Sequence, residues 1–320
     1  MAGGSPRLSI LMVNWNTREM TLACLRSVYA ETHATDFEIV LVDNGSVDGS
    51  VDAIRAEFPQ VRLIAEAANH GFGQGNNIAA AAAGGEFLLL LNTDTIILDR
   101  AIDRLMSFAE RRPEAGIWGG RTVFADGRPN PTFAWGRITA WSAFCLATGL
   151  SALAPRSRLF NPEGVARWGA GTERPVDIVS GCFFLIRADL WRSLSGFDPA
   201  FFMYGEEADL CARARSHGAR PHVTPNAMIV HHGGGSATKR TDTLVYLSGA
   251  RIGLALRHLP PLAGRGARAM TLFAAWWRAQ LFGIAAAVSR DQKRHAAAMQ
   301  WRELWSRRSE WRDGPVARAL

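Results

Sequence analysis

Asn92-Thr93-Asp94 follows an unbroken apolar run, residues 87–91. A carboxylate just past a buried strand can bind a hard divalent cation whose other ligands are phosphate oxygens and water. Such an Asp also caps turns, so its neighbours decide its meaning. Asp43 ends a second apolar run and precedes Asn44-Gly45-Ser46. There Asn44 can close the turn while Asp43 accepts hydrogen bonds from the base or ribose of a nucleotide. Gly71-Phe72-Gly73-Gln74-Gly75-Asn76-Asn77 has the composition of a phosphate loop. Its spacing is G-x-G-x-G and it follows the third strand, which argues against a dinucleotide fingerprint. These glycines are expected to form a bend that lets backbone approach a ligand, with Asn76 opening a helix aimed at it. Glu206-Glu207 are adjacent acids behind Phe201-Phe202-Met203-Tyr204-Gly205, with Asp209 two residues on. Mutual repulsion in an apolar setting raises one carboxyl's pKa toward that of a general base. The same acids equally suit a solvated helix N-terminus. His231, ahead of a glycine run, reads as a metal or diphosphate contact or as a plain turn histidine.

The surrounding pattern positions these groups. Strands are expected at 8–13, 37–42, 61–64 and 87–91, with helices at 18–30, up to 57 and at 76–83. Alternation of this kind predicts an α/β fold with a mostly parallel, doubly wound sheet flanked by helices. Asn14/Asn16, Asp43/Asn44, residues 69–77 and Asn92/Asp94 follow successive strands, so all converge on the carboxyl edge, where such sheets bind ligands. From 124 to 168 the sequence is rich in Pro, Gly, Arg and Trp, and reads as a partly mobile insertion shaping an acceptor site. Regularity returns with a strand pair in 176–187, a helix from Ala188, and short strands at 222–224 and 228–230.

The net charge of +7 is uneven: residues 251–320 hold 12 Arg and 1 Lys against 4 acids, or +9, leaving −2 for the remainder. Such asymmetry suits something anionic, either nucleic acid or a phospholipid surface; of the two, the phospholipid surface and not nucleic acid is the partner expected here. Residues 270–288 are mostly apolar but contain Trp276, Trp277, Arg278 and Gln280. A central Arg costs about 2.5–3.5 kcal/mol on insertion scales, so an interface-lying helix fits better than a span, the alternative being a core helix packed on the rest of the chain. Cys24, Cys145, Cys182 and Cys211 lack C-x-x-C spacing and read as buried, reduced thiols. The opening apolar run is too short for a secretory leader, which puts the expected location in the cytoplasm.

Taken in order, Val13-Asn14-Trp15-Asn16, Val42-Asp43-Asn44-Gly45-Ser46, Asn69-His70-Gly71-Phe72-Gly73, Leu91-Asn92-Thr93-Asp94, Ser180-Gly181-Cys182-Phe183, residues 201–209 and residues 231–236 resemble family 2 glycosyltransferases, most of all the bacterial rhamnosyltransferase-like branch. The resemblance runs from about residue 8 to 240. It implies a GT-A fold over 1–245, an acceptor-side insertion at 124–172, and a basic, Trp-rich helical extension at 246–320 that associates with the membrane. It implies inverting, single-displacement transfer from a nucleotide-sugar, with dTDP-rhamnose the first donor to consider. Asp43 would hold the nucleoside, with Asn14, Asn16, Asn69, Gly71, Gly75, Asn76 and Asn92 around the nucleotide-sugar. Asp94 and His231 would hold Mg²⁺ or Mn²⁺, with His232 competing for the second place. Glu207 would be the base beside Glu206, where the family usually carries Asp, so the pair reads Glu-Glu. Gly181, Cys182, Tyr204 and Asp209 would face the acceptor, a glycan or polyprenyl-linked glycan of cell-surface polysaccharide synthesis. A sugar nucleotidyltransferase would carry a glycine-rich, Lys/Arg-containing loop where Asn14-Trp15-Asn16 stands, and the Glu-Glu pair leaves a catalytically impaired binding homologue open.

Overall fold

The computed structural model describes residues 5–165, 171–233 and 240–317. Its first half is β1 (Leu8–Asn14), α1 (Arg18–Glu31), β2 (Phe37–Asn44), α2 (Ser50–Glu57), β3 (Arg62–Glu66), α3 (Gly71–Ala82) and β4 (Phe87–Leu91). β5 (Thr95–Ile97), α4 (Ala101–Arg111), β6 (Ile117–Val123), β7 (Pro129–Asn130), β8 (Ala134–Trp135), α5 (Ala140–Thr148) and α6 (Leu150–Leu153) follow. Then come β9 (Arg174–Pro175), β10 (Ile178–Val179), β11 (Phe183–Arg187), α7 (Ala188–Ser193), α8 (Glu206–Ser216) and β12 (His222–His231). The chain finishes with α9 (Arg240–His258), α10 (Pro261–Ala287) and α11 (Gln292–Ser306).

The main sheet runs β3-β2-β1-β4-β11-β6-β12-β5. β1 pairs in parallel with both β2 and β4, while β11 enters antiparallel between β4 and β6. Strand order reverses direction at β1/β4, and the crevice beyond their carboxyl ends is where ligands enter such sheets. Alternation along β1 splits the core. Leu8, Ile10 and Met12 pack with α1 and α4 on one face, and Leu11 packs with Val40, Ala79 and Leu210 on the other. β4 is buried along its whole length, as its uninterrupted apolar sequence requires.

The structure departs from the sequence expectation in several places. Residues 71–75 are not a bend: α3 starts at Gly71, and Asn76 lies inside the helix with its amide donating back to the Phe72 carbonyl at 2.9 Å. Sterics explain the glycines. Gly71 has φ +82°, and a Cβ there would stand 2.2 Å from the Phe202 carbonyl oxygen. At Gly75 a Cβ would meet Val13 at 2.8 Å, so this glycine lets α3 press onto β1. The short strands expected at 222–224 and 228–230 form one strand, β12, with an irregularity between Val223 and Met228. Within the insertion, α5 opens on a capping box at Thr139 and Ser142 and ends at Gly149 with φ +84°. Its Trp141 and Phe144 are exposed while its other side packs on α10. Residues 166–170 of that insertion and 234–236 of the glycine run lie outside the described residues.

The carboxyl-terminal helices clasp the sheet domain from one side. Phe202 stacks on Tyr246 with ring centroids 5.7 Å apart, and Trp311 is fully buried beside them. α9 passes through residues 245–246 without a break. Among the described residues, no helix is long and apolar enough to cross a membrane.

Candidate active site

β4 delivers Asn92 and Asp94 to the crevice, and β5 starts at the very next residue, Thr95. β5 pairs antiparallel with β12 in a register that sets His231 opposite Thr95. Asp94 therefore meets the end of β12: its carbonyl accepts from His232 N at 3.0 Å, and its carboxylate Oδ1 lies 3.4 Å from His231 Nε2. Successive side chains of a strand point to opposite faces, so register, not residue type, turns His231 toward Asp94 and leaves His232 exposed. The Thr132 hydroxyl stands 3.4 Å from His231 Nδ1, and Asn130 donates to the His231 carbonyl at 3.1 Å. Burial opposes charge on this imidazole, but the Cys182 sulfur and the Asp94 carboxylate beside it prevail and push its pKa up to about 10.

Across the cavity, the turn Tyr204-Gly205 aims the first residues of α8 inward. Tyr204 has φ +66° and Gly205 φ +93°, a left-handed pair that costs strain at Tyr204. Gly205 is also pinned by space, since a Cβ would stand 2.8 Å from that of Ala250. Glu206 and Glu207 are the first residues of α8, and one Oε2 of each is buried without a hydrogen-bond partner. Burial and the neighbouring Glu207 charge push the Glu206 carboxyl well above the ordinary range, and burial raises Glu207 too. Orphaned carboxylate oxygens facing a cavity mark groups awaiting a ligand or proton. The solvated-terminus reading of the pair does not survive.

A prediction follows for Glu206, whose charged form is the penalised one. An acid with a raised folded-state pKa holds its proton longer in the native state, so stability is lost as pH climbs through and above the unfolded value near 4.5. Glu206→Gln keeps the neutral shape, and its melting temperature is expected to exceed that of wild type at pH 7–8 and to converge with it near pH 4. Parallel melting curves across that range would remove the premise.

Asn92, Asp94, Gly181, Cys182, Tyr204, Glu206, Glu207 and His231 all line a single cavity of about 780 Å³. Other expected site residues lie elsewhere. Asn14 and Asp43 are buried and bonded to each other at 2.6 Å, with Asn14 also accepting from Thr17 and Thr21 and Asp43 from Ser46 N. Asn16 sits at φ +53° and accepts from Val47 N, Asn69 caps Gly71 N, and Gly71, Gly75 and Asn76 serve helix packing. Asp209 points away from the cavity into an ion cluster, 2.7 Å from Arg213 Nε and 2.8 Å from His258 Nε2. Burial works against its charge, yet His258 and Arg213 hold the carboxyl below the usual range. It fastens α8 to α9.

Residues with no local sequence signal complete the cavity. Thr132 and Trp135 come from the insertion, and a half-buried Glu163–Arg251 pair, bidentate at 2.6 and 2.7 Å, stands in its wall. Among the described residues, no group of three or more His, Cys, Asp and Glu gathers around one metal position. The donors present are of the type that suits Mg²⁺ or Mn²⁺: Asp94 and His231 offer one carboxylate oxygen and one imidazole nitrogen, and the buried Asn92 Oδ1 lacks a partner; oxygens of a bound ligand would have to supply the rest.

The model of the family described as "Glycosyl transferase family 2" matches residues 9–192, more than half the chain. The chain belongs to glycosyltransferase family 2. Relatives of this family-2 chain include the O-antigen biosynthesis protein RfbC of Myxococcus xanthus, 30% identical over 244 residues. That alignment covers 75% of the chain and 18% of RfbC. The N-acetylglucosaminyl-diphospho-decaprenol L-rhamnosyltransferase of Mycobacterium tuberculosis is 29% identical over 211 residues, covering 61% of this chain and 66% of that one. The chain thus spans less than two thirds of either relative's length. Among solved structures, the mannosyltransferase PcManGT of Pyrobaculum calidifontis, in complex with GDP-Man and Mn²⁺, superposes with a TM-score of 0.57 at 16% identity. The match covers 96% of this chain and 88% of that one. TarS 1–349 of S. aureus follows with a TM-score of 0.51 at 15% identity, over 95% and 82% of the two chains. The family-2 chain therefore has the GT-A fold its sequence led one to expect: a mixed, mostly parallel sheet flanked by helices, with further helices at the carboxyl end.

Proposed function

We propose that the protein is an inverting, divalent-metal-dependent glycosyltransferase that moves a sugar from a nucleotide donor to a glycan or polyprenyl-linked glycan. One observation carries this reading: the Asp94–His231 pair and the Glu206-Glu207 pair face the same cavity from opposite sheet and helix termini. In the reaction, Glu207 takes the proton of an acceptor hydroxyl. The acceptor oxygen bonds to the anomeric carbon from the face opposite the nucleotide, and the bond from that carbon to the diphosphate oxygen breaks. Asp94 and His231 would hold Mg²⁺ or Mn²⁺, which supplies charge neutralisation on the departing diphosphate. Raised by burial, the Glu207 carboxyl is better matched to accept a proton near neutral pH than an exposed glutamate.

The relative that acts as a decaprenol-diphosphate rhamnosyltransferase supports rhamnose as the sugar and a lipid-linked acceptor. dTDP-rhamnose is the first donor to test, in cell-surface polysaccharide synthesis. Residues 1–245 form the catalytic unit and 246–320 the extension that rests on the inner face of the membrane. There the exposed Arg265, Arg290 and Lys293 face anionic lipid. Thermal shift with a panel of nucleoside diphosphates, with and without Mn²⁺, tests the donor half. One base should stabilise the protein in a metal-dependent way. A flat panel, together with no sugar transfer from any matching donor, would refute the proposal.

A further inference from the structure

The catalytic cavity continues away from the metal side into an apolar recess that sugar transfer alone does not require. Here α5, α9 and α10 line it with Ala147, Leu254, Met270 and Ala274, and with Leu146 and Leu247, which also reach the surface. Trp277 Nε1 donates to the Ala147 carbonyl at 2.6 Å, so α5 and α10 are bonded together along this wall. Arg278 donates to the Leu146 carbonyl, which spends its polar head on α5. These two bonds tie α5 to α10, so the recess is a built space and not a loose seam.

The outer faces of the same two helices are apolar and exposed. Trp141 and Phe144 on α5 stack at 5.4 Å, and Phe273 and Trp276 on α10 lie 6.0 Å apart. Ile284 continues the same face of α10 and Val288 follows just past its end, 67% and 82% exposed. Exposed cations bracket this stripe, Arg265 at one end and Arg290 and Lys293 at the other. Aromatic and aliphatic side chains on one face, with basic residues at both ends, are the features of a helix lying in a lipid interface.

We infer that the recess between α5, α9 and α10 is the binding site for the first isoprene units of an acceptor glycan linked through diphosphate to a polyprenol, which enters from the membrane past the exposed Trp141 and Phe273 faces. This deepens the acceptor reading above and rests on it. The geometry requires only part of the chain to enter. A cavity of about 780 Å³ that must also seat sugar and diphosphate is of the size that holds a drug-sized ligand. The remainder of the chain stays in the bilayer. An apolar tail in the recess places the acceptor's polar head beside Glu207, and it fixes depth through apolar burial instead of through charged contacts.

The test uses the full chain and decaprenyl diphosphate bearing a photoreactive diazirine on an early isoprene unit, in detergent micelles. Cross-links are expected within α5 and α10 at the inward residues Ala147, Met270 and Ala274. Excess unlabelled decaprenyl diphosphate should abolish them and an equal amount of phosphatidylglycerol should not. Ala274→Phe, with its fold verified by melting, should cut labelling by about tenfold by filling the recess. Labels confined to outward residues such as Phe273 and Ile284, or competition by phosphatidylglycerol as strong as by the polyprenyl lipid, would overturn the assignment. Nucleotide binding with Mn²⁺, measured on the same preparation, separates the two readings. Intact nucleotide binding without inward labelling refutes the chain site alone. Failed nucleotide binding with inward labelling refutes the donor half of the function.

Discussion

Glu207→Gln is expected to lower kcat by about 10²–10⁴-fold, the usual worth of a positioned general base, while the donor's KM changes little. Glutamine keeps the size of the side chain at the start of α8 and removes only its capacity to accept a proton. Burial already disfavours the charge there, so the substituted protein should fold at least as well as wild type. That combination, lost turnover with retained or increased stability, distinguishes a base from a structural residue. The pH profile supplies a second check. Activity of the wild type should rise with pH through the raised pKa of the glutamate pair, since the base must be ionised to act. The residual activity of Glu207→Gln should lack that limb. A variant with wild-type turnover would exclude Glu207 from proton transfer.

The frame of this site was legible in the sequence because βα alternation has few solutions. Four polar clusters behind successive apolar runs had to meet on one sheet edge, and Asn92 and Asp94 do stand where β4 ends. The glycines of α3 were the instructive miss. A glycine needed for close backbone approach has the same sequence appearance whether it approaches a ligand or a neighbouring strand. At Gly75 the neighbour is Val13, and at Gly71 it is the carbonyl of Phe202. The choice between His231 and His232 was likewise hidden, because a one-residue step along a strand turns the side chain to the other face and only the pairing with β5 fixes the step.

Long-range pairs account for the rest. Glu163 and Arg251 are 88 residues apart in the chain, and nothing local to either announces a half-buried bidentate pair. Asp209 looked like a third acid of the acceptor side because it lies two residues from Glu207. On a helix that offset turns the side chain well away, and His258 and Arg213 are there to take it. The same tertiary closure builds the apolar recess, whose walls come from an insertion helix and two helices near the carboxyl end. Composition had marked those regions as basic and Trp-rich, but only the fold shows that they share a cavity with Glu207.

Asp94→Ala should be the most damaging change at the donor side. It removes the carboxylate from the protein groups suited to Mg²⁺ or Mn²⁺, and a Lewis acid on the leaving group is worth several kcal/mol, so turnover should fall by about 10³-fold or more. His231 keeps Thr132 and the Cys182 sulfur as neighbours but loses the carboxylate, so one of the two groups that raise its pKa is gone and that pKa should fall. The decisive readout is binding. In wild type, Mn²⁺ and a nucleoside diphosphate should raise the melting temperature together by more than the sum of their separate effects, because each completes the other's site. In Asp94→Ala that surplus should vanish, while any effect of the nucleotide alone persists. His231→Ala should weaken the surplus without abolishing it, since phosphate oxygens and water can replace one neutral ligand more readily than a carboxylate. Should Asp94→Ala retain both the surplus and wild-type turnover, the metal centre would have to lie elsewhere on the sheet edge. The convergence of Asn92, Asp94 and His231 would then be a packing solution only.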